Sequence, residues 1–201
     1  PNKVTRYELT PEKVDCVVFC SKNYAPILPR IGEIVSKFNT YFHYTITAYG
    51  KDVEPGVPSI DESIDTLMML EGKAGARRIA WRYDPVLLTE DYTIQRHLDT
   101  FEYMAARLSG LGEIAGRHDI PIQTCGTNED YSRYGVAPSG CTTLDMIGNA
   151  NGVKFRELKH RGMRKGCHCI ESRDIGAYDT CLNGCKYCYA NSRPRKAYEN
   201  Y

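Results

Sequence analysis

Asp15-Cys16-Val17-Val18-Phe19-Cys20 is a short apolar run without polar alternation. A strand buried on both faces of a parallel sheet looks like this. The residues after it set the rhythm of the chain. Pro26 to Phe38 places Ile27, Leu28, Ile31, Ile34 and Val35 at helical spacing, and Asn39 stops the run. Tyr41-Phe42-His43-Tyr44-Thr45-Ile46-Thr47-Ala48 is aromatic and β-branched, hence strand. Lys51 to Pro58 is a loop with two prolines. Ser59-Ile60-Asp61-Glu62 is a capping-box pattern that opens a helix through Leu67 and Leu70, ended by Gly72 or Gly75. Arg78 to Tyr83 is strand again, closed by Asp84-Pro85. Thr93 to Leu108 carries Leu98, Phe101, Met104 and Leu108 on one helical face. Ser109-Gly110 then runs into Leu111-Gly112-Glu113-Ile114-Ala115, a helix tail with no strand before it. The expectation is that Gly110 and Leu111 are not neighbours in the full protein. Ile120 to Cys125 reads as the next strand, and Leu144 to Ile147 as a short helix.

Strands alternating with helices imply a parallel sheet with right-handed crossovers. The expected fold is α/β, a parallel (β/α) barrel or partial barrel, with functional residues at the C-terminal strand ends. Residues 1–126 would form the barrel part, and 127–201 an irregular Cys-rich C-terminal segment packed on the same domain.

The chain has 201 residues, 42% hydrophobic and 25% charged, an ordinary globular balance. Its formal net charge of +1 argues against a domain-wide field for nucleic acid. No apolar stretch is long enough to cross a membrane. The opening Pro1-Asn2-Lys3 shows no leader pattern and lacks a Met, as a piece of a longer protein would. A cytoplasmic location is expected.

Cysteine is the outlier. Nine are present: Cys16, Cys20, Cys125, Cys141, Cys167, Cys169, Cys181, Cys185 and Cys188. An odd number without a secretory leader favours thiols used for metal over a disulfide framework. Cys181-Leu182-Asn183-Gly184-Cys185-Lys186-Tyr187-Cys188 puts three thiols on one tight loop. Three thiolates can hold an iron–sulfur cluster and leave one iron open. Zinc is the competing ligand, though closed zinc sites usually draw on two separated pairs, and unligated structural thiols are the third alternative.

These residues, with aromatic Tyr187 before the third Cys, resemble the C-x3-C-x-aromatic-C signature of radical S-adenosylmethionine (SAM) enzymes. In that superfamily a [4Fe-4S] cluster chelates SAM and cleaves it reductively. The signature there normally lies near the N-terminus, so its C-terminal position here implies a circularly permuted arrangement. More specifically, the chain is similar to a bacterial and archaeal family catalogued as a domain of unknown function with a C-terminal cysteine cluster of radical-SAM appearance. The likeness covers Lys22-Asn23, Thr45 to Gly50, Trp81 to Pro85, Asp174 to Tyr178, and Cys181 through Ala190. It implies one [4Fe-4S] cluster on Cys181, Cys185 and Cys188, SAM as cofactor, an electron donor and an unidentified substrate.

Cys125, Cys141, Cys167 and Cys169, which the resemblance also includes, make four further ligands for a second cluster or a zinc, or else serve as ordinary thiols. Cys16 and Cys20 read as core. Lys22, Thr47, Arg82 and Asp84 fall at strand C-terminal ends. Lys22, Arg82 and Asp84 are the catalytic candidates: Arg82 could pair with a carboxylate or phosphate, and Asp84 could bind a ribose or act as a base. The alternative is that Arg82 and Asp84 pair with each other and hold a turn. Thr47 and Tyr187 are the candidates for touching the cofactor. His43 reads as a strand residue with a satisfied hydrogen bond. From Lys154 to Lys165, six Lys or Arg stand against one acid. That run is either a solvated loop or a place for nucleic-acid phosphates, which a distant likeness to the spore photoproduct lyases keeps open.

Overall fold

The computed structural model describes residues 6–109, 122–125, 129–134, 136–157 and 166–200. The expected break between Gly110 and Leu111, and most of the basic run 154–165, lie outside the described residues.

Three strands form one parallel sheet in sequential order: β1 (Val17–Ser21), β2 (Thr40–Thr45) and β3 (Ile79–Arg82). Val18 faces Tyr41 across the first pair, and His43 faces both Cys20 and Ala80. A 3-10 turn over Ala25–Arg30 leads into α1 (Ile31–Lys37), which connects β1 to β2; α2 (Ile60–Ala74) connects β2 to β3. The single helix expected over 26–38 is thus two pieces, because Pro29 sits inside the first turn. The capping box is formed: Ser59 Oγ accepts from Glu62 N–H, while the Ser59 N–H donates to Glu62 Oε2 at 2.8 Å. Gly75, at φ +87°, ends α2. α3 (Ile94–Ser109) returns along the same side.

Strand alternation divides the sheet into two faces. Phe19, Phe42, Tyr44, Ile79 and Trp81 point to the helices and meet Ile31, Ile64, Leu67, Leu70 and Met104 in the main core. Phe42, Tyr44, Ile64, Leu70 and Met104 are fully buried, each contributing about 1.5–3 kcal/mol by leaving water. The opposite face is covered by α4 (Leu144–Asn151), whose Ile147 packs with Tyr41, Val18, Ala80 and Cys16. That cover stops before Cys20, which is exposed, so the expectation that Cys20 belongs to the core is corrected; Cys16 is half-buried.

Two short strands, β4 (Ile122–Thr124) and β5 (Val136–Pro138), pair in parallel as a separate sheet, and α5 (Pro194–Asn200) ends the described chain. The architecture is therefore α/β with a three-stranded parallel sheet, and no closed barrel is present among the described residues. No helix among them is long and apolar enough to cross a membrane.

His43 joins the sheet to α4's approach. Its Nε2 contacts Thr142 Oγ1 at 3.1 Å, while Nδ1 is buried without a hydrogen-bond partner among the described residues. The expected satisfied histidine is satisfied at one nitrogen only. Burial, helped by the Arg82 charge, lowers its pKa to about 4. A depressed histidine pKa stabilises the fold above the unfolded value near 6.5, and that contribution is lost as pH falls toward 4. We expect unfolding free energy to drop by about 3 kcal/mol across that window. Chemical denaturation at a series of pH values checks this: His43→Gln should flatten the slope, and an unchanged slope would remove His43 as its source.

Candidate functional site

Parallel strands deliver the residues that follow them to one rim. Lys22 follows β1 and Thr47 follows β2, and the loop after β2 inserts Glu54 between them. Glu54 is only 2% exposed. Lys22 Nζ lies 3.0 Å from Glu54 Oε1 and donates to Thr47 Oγ1 at 3.3 Å, while Thr47 donates to Glu54 Oε1 at 2.9 Å. Tyr187 donates its hydroxyl to the same carboxylate oxygen, and Lys22 sits over the Tyr187 ring, 5.7 Å from its centre. Burial, and then the hydrogen bond to Glu54, raise the Tyr187 pKa, so the phenol stays protonated.

The Cys181–Cys188 loop is therefore docked on this rim, and its backbone explains how. Gly56 N–H donates to Asn183 O at 2.8 Å, and Lys186 N–H donates to Val53 O at 3.0 Å. Gly184 takes φ +64° to let the loop turn against Pro55. A latch closes its base: Asp179 accepts from Ser192 Oγ at 2.8 Å and Lys196 Nζ at 2.8 Å, and Asp179 N–H donates to Ala190 O. The Lys196 contact, followed by the Ser192 hydrogen bonds, holds the Asp179 carboxyl down at about 2. Tyr49 adds a brace, its ring 5.9 Å from that of Tyr187 and its hydroxyl donating to Pro85 O at 2.9 Å.

Cys181 is exposed, Cys185 and Cys188 are half-buried, and all three are free thiols. Burial and the Glu54 charge push the Cys185 thiol up to about 11, with Lys22 opposing. The donor types are those of an iron–sulfur site, three soft ligands on one anchored loop, although their sulfurs do not form a close group as those of Cys125, Cys141 and Cys169 do.

A second sulfur group lies elsewhere. Cys125 comes directly after β4, Cys141 follows β5, and Cys169 arrives from the C-terminal segment. Their sulfurs all lie within 4.8 Å of one another, with Cys141 and Cys169 3.2 Å apart and Cys125 and Cys169 3.9 Å apart. Cys169 is buried and the other two are half-buried. This group could hold a metal or a cluster. Burial and the neighbouring thiols push the Cys141 pKa upward, the response expected when several would-be anions share one pocket. Cys167 is half-buried and stands outside the close group, and His168 is exposed.

The structure thus brings Lys22, Thr47, Tyr187 and the Cys loop together, and Cys125, Cys141 and Cys169 separately. Arg82 and Asp84 pair with each other at 3.1 Å at the exit of β3. Glu54, the centre of the rim, is absent from the sequence-derived candidates. Glu54 stands between Val53 and Pro55, two residues after Asp52, in a loop that has no periodicity to mark it as buried.

No curated protein and no solved structure matches the chain. A family model does, over residues 1–113 and again over 108–190, so that the two segments together span nearly all of it. The protein belongs to the family described as Domain of unknown function (DUF1848).

Proposed function

We propose that this protein is an iron–sulfur protein of radical-SAM type, holding a [4Fe-4S] cluster on Cys181, Cys185 and Cys188. One observation carries the reading: the three-thiol loop is docked at the C-terminal rim of the parallel sheet, against Lys22, Thr47 and Glu54. Held by Cys181, Cys185 and Cys188, such a cluster would supply the electron for reductive cleavage of SAM and would itself depend on an external electron donor. The chain's own part is binding and orientation. Glu54 and Thr47 hold Lys22 in place, and the Lys22 side chain, which keeps 12% exposure, is the cation of this group that the carboxylate of an amino acid would meet. Tyr187 fixes the loop through Glu54. Arg82 and Asp84 stand at the end of β3, where a substrate would enter, Asp84 as hydrogen-bond acceptor or base. A partial (β/α) barrel with the cysteine loop circularly permuted to its end is the fold reading that accompanies this, since a late loop packs beside the earliest strands.

A second reading, a metal-holding protein without catalysis, is favoured by the close Cys125, Cys141 and Cys169 group. Anaerobic reconstitution with iron and sulfide separates the two. The radical-SAM reading expects a brown protein with about four irons on this loop, an altered spectrum of the reduced cluster on adding SAM, and release of 5′-deoxyadenosine. It expects Cys185→Ser to abolish all three. A loaded cluster that ignores SAM would leave an electron carrier, and a chain that takes up only zinc would end the iron–sulfur reading.

A further inference from the structure

We propose that Cys125, Cys141 and Cys169 hold one tetrahedral metal ion, of the zinc class, with Cys167 as the fourth ligand. The spacing of the sulfurs separates a single ion from a cluster. Two thiolates on one ion with metal–sulfur bonds of about 2.3 Å stand about 3.8 Å apart in tetrahedral geometry. Thiolates on a cubane each bind a different iron and stand about 6 Å apart. The three sulfurs here lie within 4.8 Å of one another, with 3.9 Å and 3.2 Å for the two pairs that include Cys169. They match the single ion.

The backbone is built around the same point. A Cβ on Gly140 would stand 2.8 Å from the His168 carbonyl and 2.9 Å from Cys169 N, so the segment before Cys141 runs directly against the Cys167-His168-Cys169 stretch. Only glycine permits that approach. Ile170 N–H then donates to Thr142 O at 3.1 Å, holding the two segments side by side just past the sulfurs. Cys167 lies two residues before Cys169 on that stretch and is half-buried, outside the close group of three sulfurs, and is the nearest further thiol in sequence to complete the coordination.

The ion would be a staple. β4 and β5 are three residues each, and a two-stranded sheet of that size is marginal alone, so a metal would add to the contacts that Ile170 and Thr142 make with the rest of the fold. Three distant parts of the chain meet at the ion, and through Thr142 and His43 the assembly reaches β2. The charge of four thiolates on a divalent ion would be net negative, and Zn–S₄ sites of this kind are structural and closed. This site stands independently of the reading given to the Cys181–Cys188 loop.

The test uses the full chain carrying Cys181→Ser, Cys185→Ser and Cys188→Ser together, which removes the loop's ligands and isolates this site. Purified and analysed, it should carry about one zinc per chain, with no iron and no acid-labile sulfide. Cobalt(II) added to the metal-free chain should produce the intense visible bands of a tetrahedral thiolate site. Cys141→Ser and Cys167→Ser, each on that background, should weaken cobalt binding by about a hundred-fold. Cys20→Ser, an exposed thiol outside the group, should not. Iron with stoichiometric sulfide in the triple variant would overturn the single ion in favour of a cluster. A metal-free chain with Cys141 and Cys169 joined in a disulfide would overturn the site altogether. Undiminished cobalt binding in Cys167→Ser would overturn the fourth ligand.

Discussion

Glu54→Ala will destabilise the protein by about 3–5 kcal/mol, the cost of leaving one member of a buried ion pair without its partner. The Lys22 side chain is 12% exposed and the Glu54 side chain 2% exposed, so neither charge can turn to water when the other is removed. Thr47 remains as a hydrogen-bond partner for the ammonium, but a hydroxyl does not neutralise it. Tyr187 loses its acceptor in the same step. The contrast is with Arg195 and Glu199, whose side chains are 91% and 60% exposed; deleting that pair should change stability by less than about 1 kcal/mol. Against a total of about 5–15 kcal/mol for a domain, the Glu54 loss should lower the melting temperature by about ten degrees. Thermal or urea unfolding reads it directly. Stability and function then separate in the double variant Lys22→Met with Glu54→Leu. Replacing both charges with apolar groups of similar volume should recover most of the stability. If the rim receives the polar end of SAM, binding and cleavage should nevertheless remain absent in that double variant. A Glu54→Ala protein within about 1 kcal/mol of its parent would show that the pair is solvated and that the rim is not the closed cradle described.

The sheet was legible because its signals are local. Val17 to Phe19, Phe42 to Thr45 and Ile79 to Trp81 are β-branched or aromatic runs between helices with clear stop residues, and all three became parallel strands in the expected order. The capping box at Ser59 and Glu62 was equally readable, because its two hydrogen bonds lie within four residues. β5 was not anticipated: Val136-Ala137-Pro138 is three residues long and exists by pairing with β4, a contact between separate stretches of chain. α5 was missed as well, since Pro194 to Asn200 has little apolar periodicity and is held through Asp179. Of the site, residue types and spacing singled out the thiols, while their partition into a close triad and a separate loop depends on which chain segments meet. Glu54 shows the limit most plainly. Nothing in Gly50 to Pro58 marks a buried carboxylate; its burial follows from Lys22, 32 positions earlier, and Tyr187, 133 positions later, closing over it.

Gly56→Val is the variant expected to release the cysteine loop while sparing the core. A Cβ at Gly56 would stand 2.7 Å from Leu182 O, 2.8 Å from Asn183 Cα and 2.9 Å from Asn183 O. These are backbone atoms and cannot rotate aside, so either the loop or the 50–57 segment must move. The movement breaks the Gly56 N–H bond to Asn183 O and pulls on the parallel contact from Lys186 N–H to Val53 O. Residues 179–192 keep their own latch through Asp179, Ser192 and Lys196, so the loop should stay closed at its base while leaving the rim. The global cost should be about 1–3 kcal/mol, typical of overpacking, because the core cluster of Phe42, Ile64, Leu70 and Met104 includes no residue of 50–57 or 181–188. The functional cost should be larger. Iron retention by Cys181, Cys185 and Cys188 should fall by at least about tenfold, as it does when the groups that orient metal ligands are lost. Gly72→Ala is the control: a Cβ there meets nothing within 4 Å, and alanine within α2 should stabilise by about 0.5–1 kcal/mol. Metal held by Cys125, Cys141 and Cys169 should be the same in both variants, since Gly56 lies against the other loop. Iron content per chain after anaerobic reconstitution, measured beside urea unfolding, decides the matter. If Gly56→Val loads iron as its parent does, the rim contact does not orient the thiols, and the loop binds its metal by its own geometry alone.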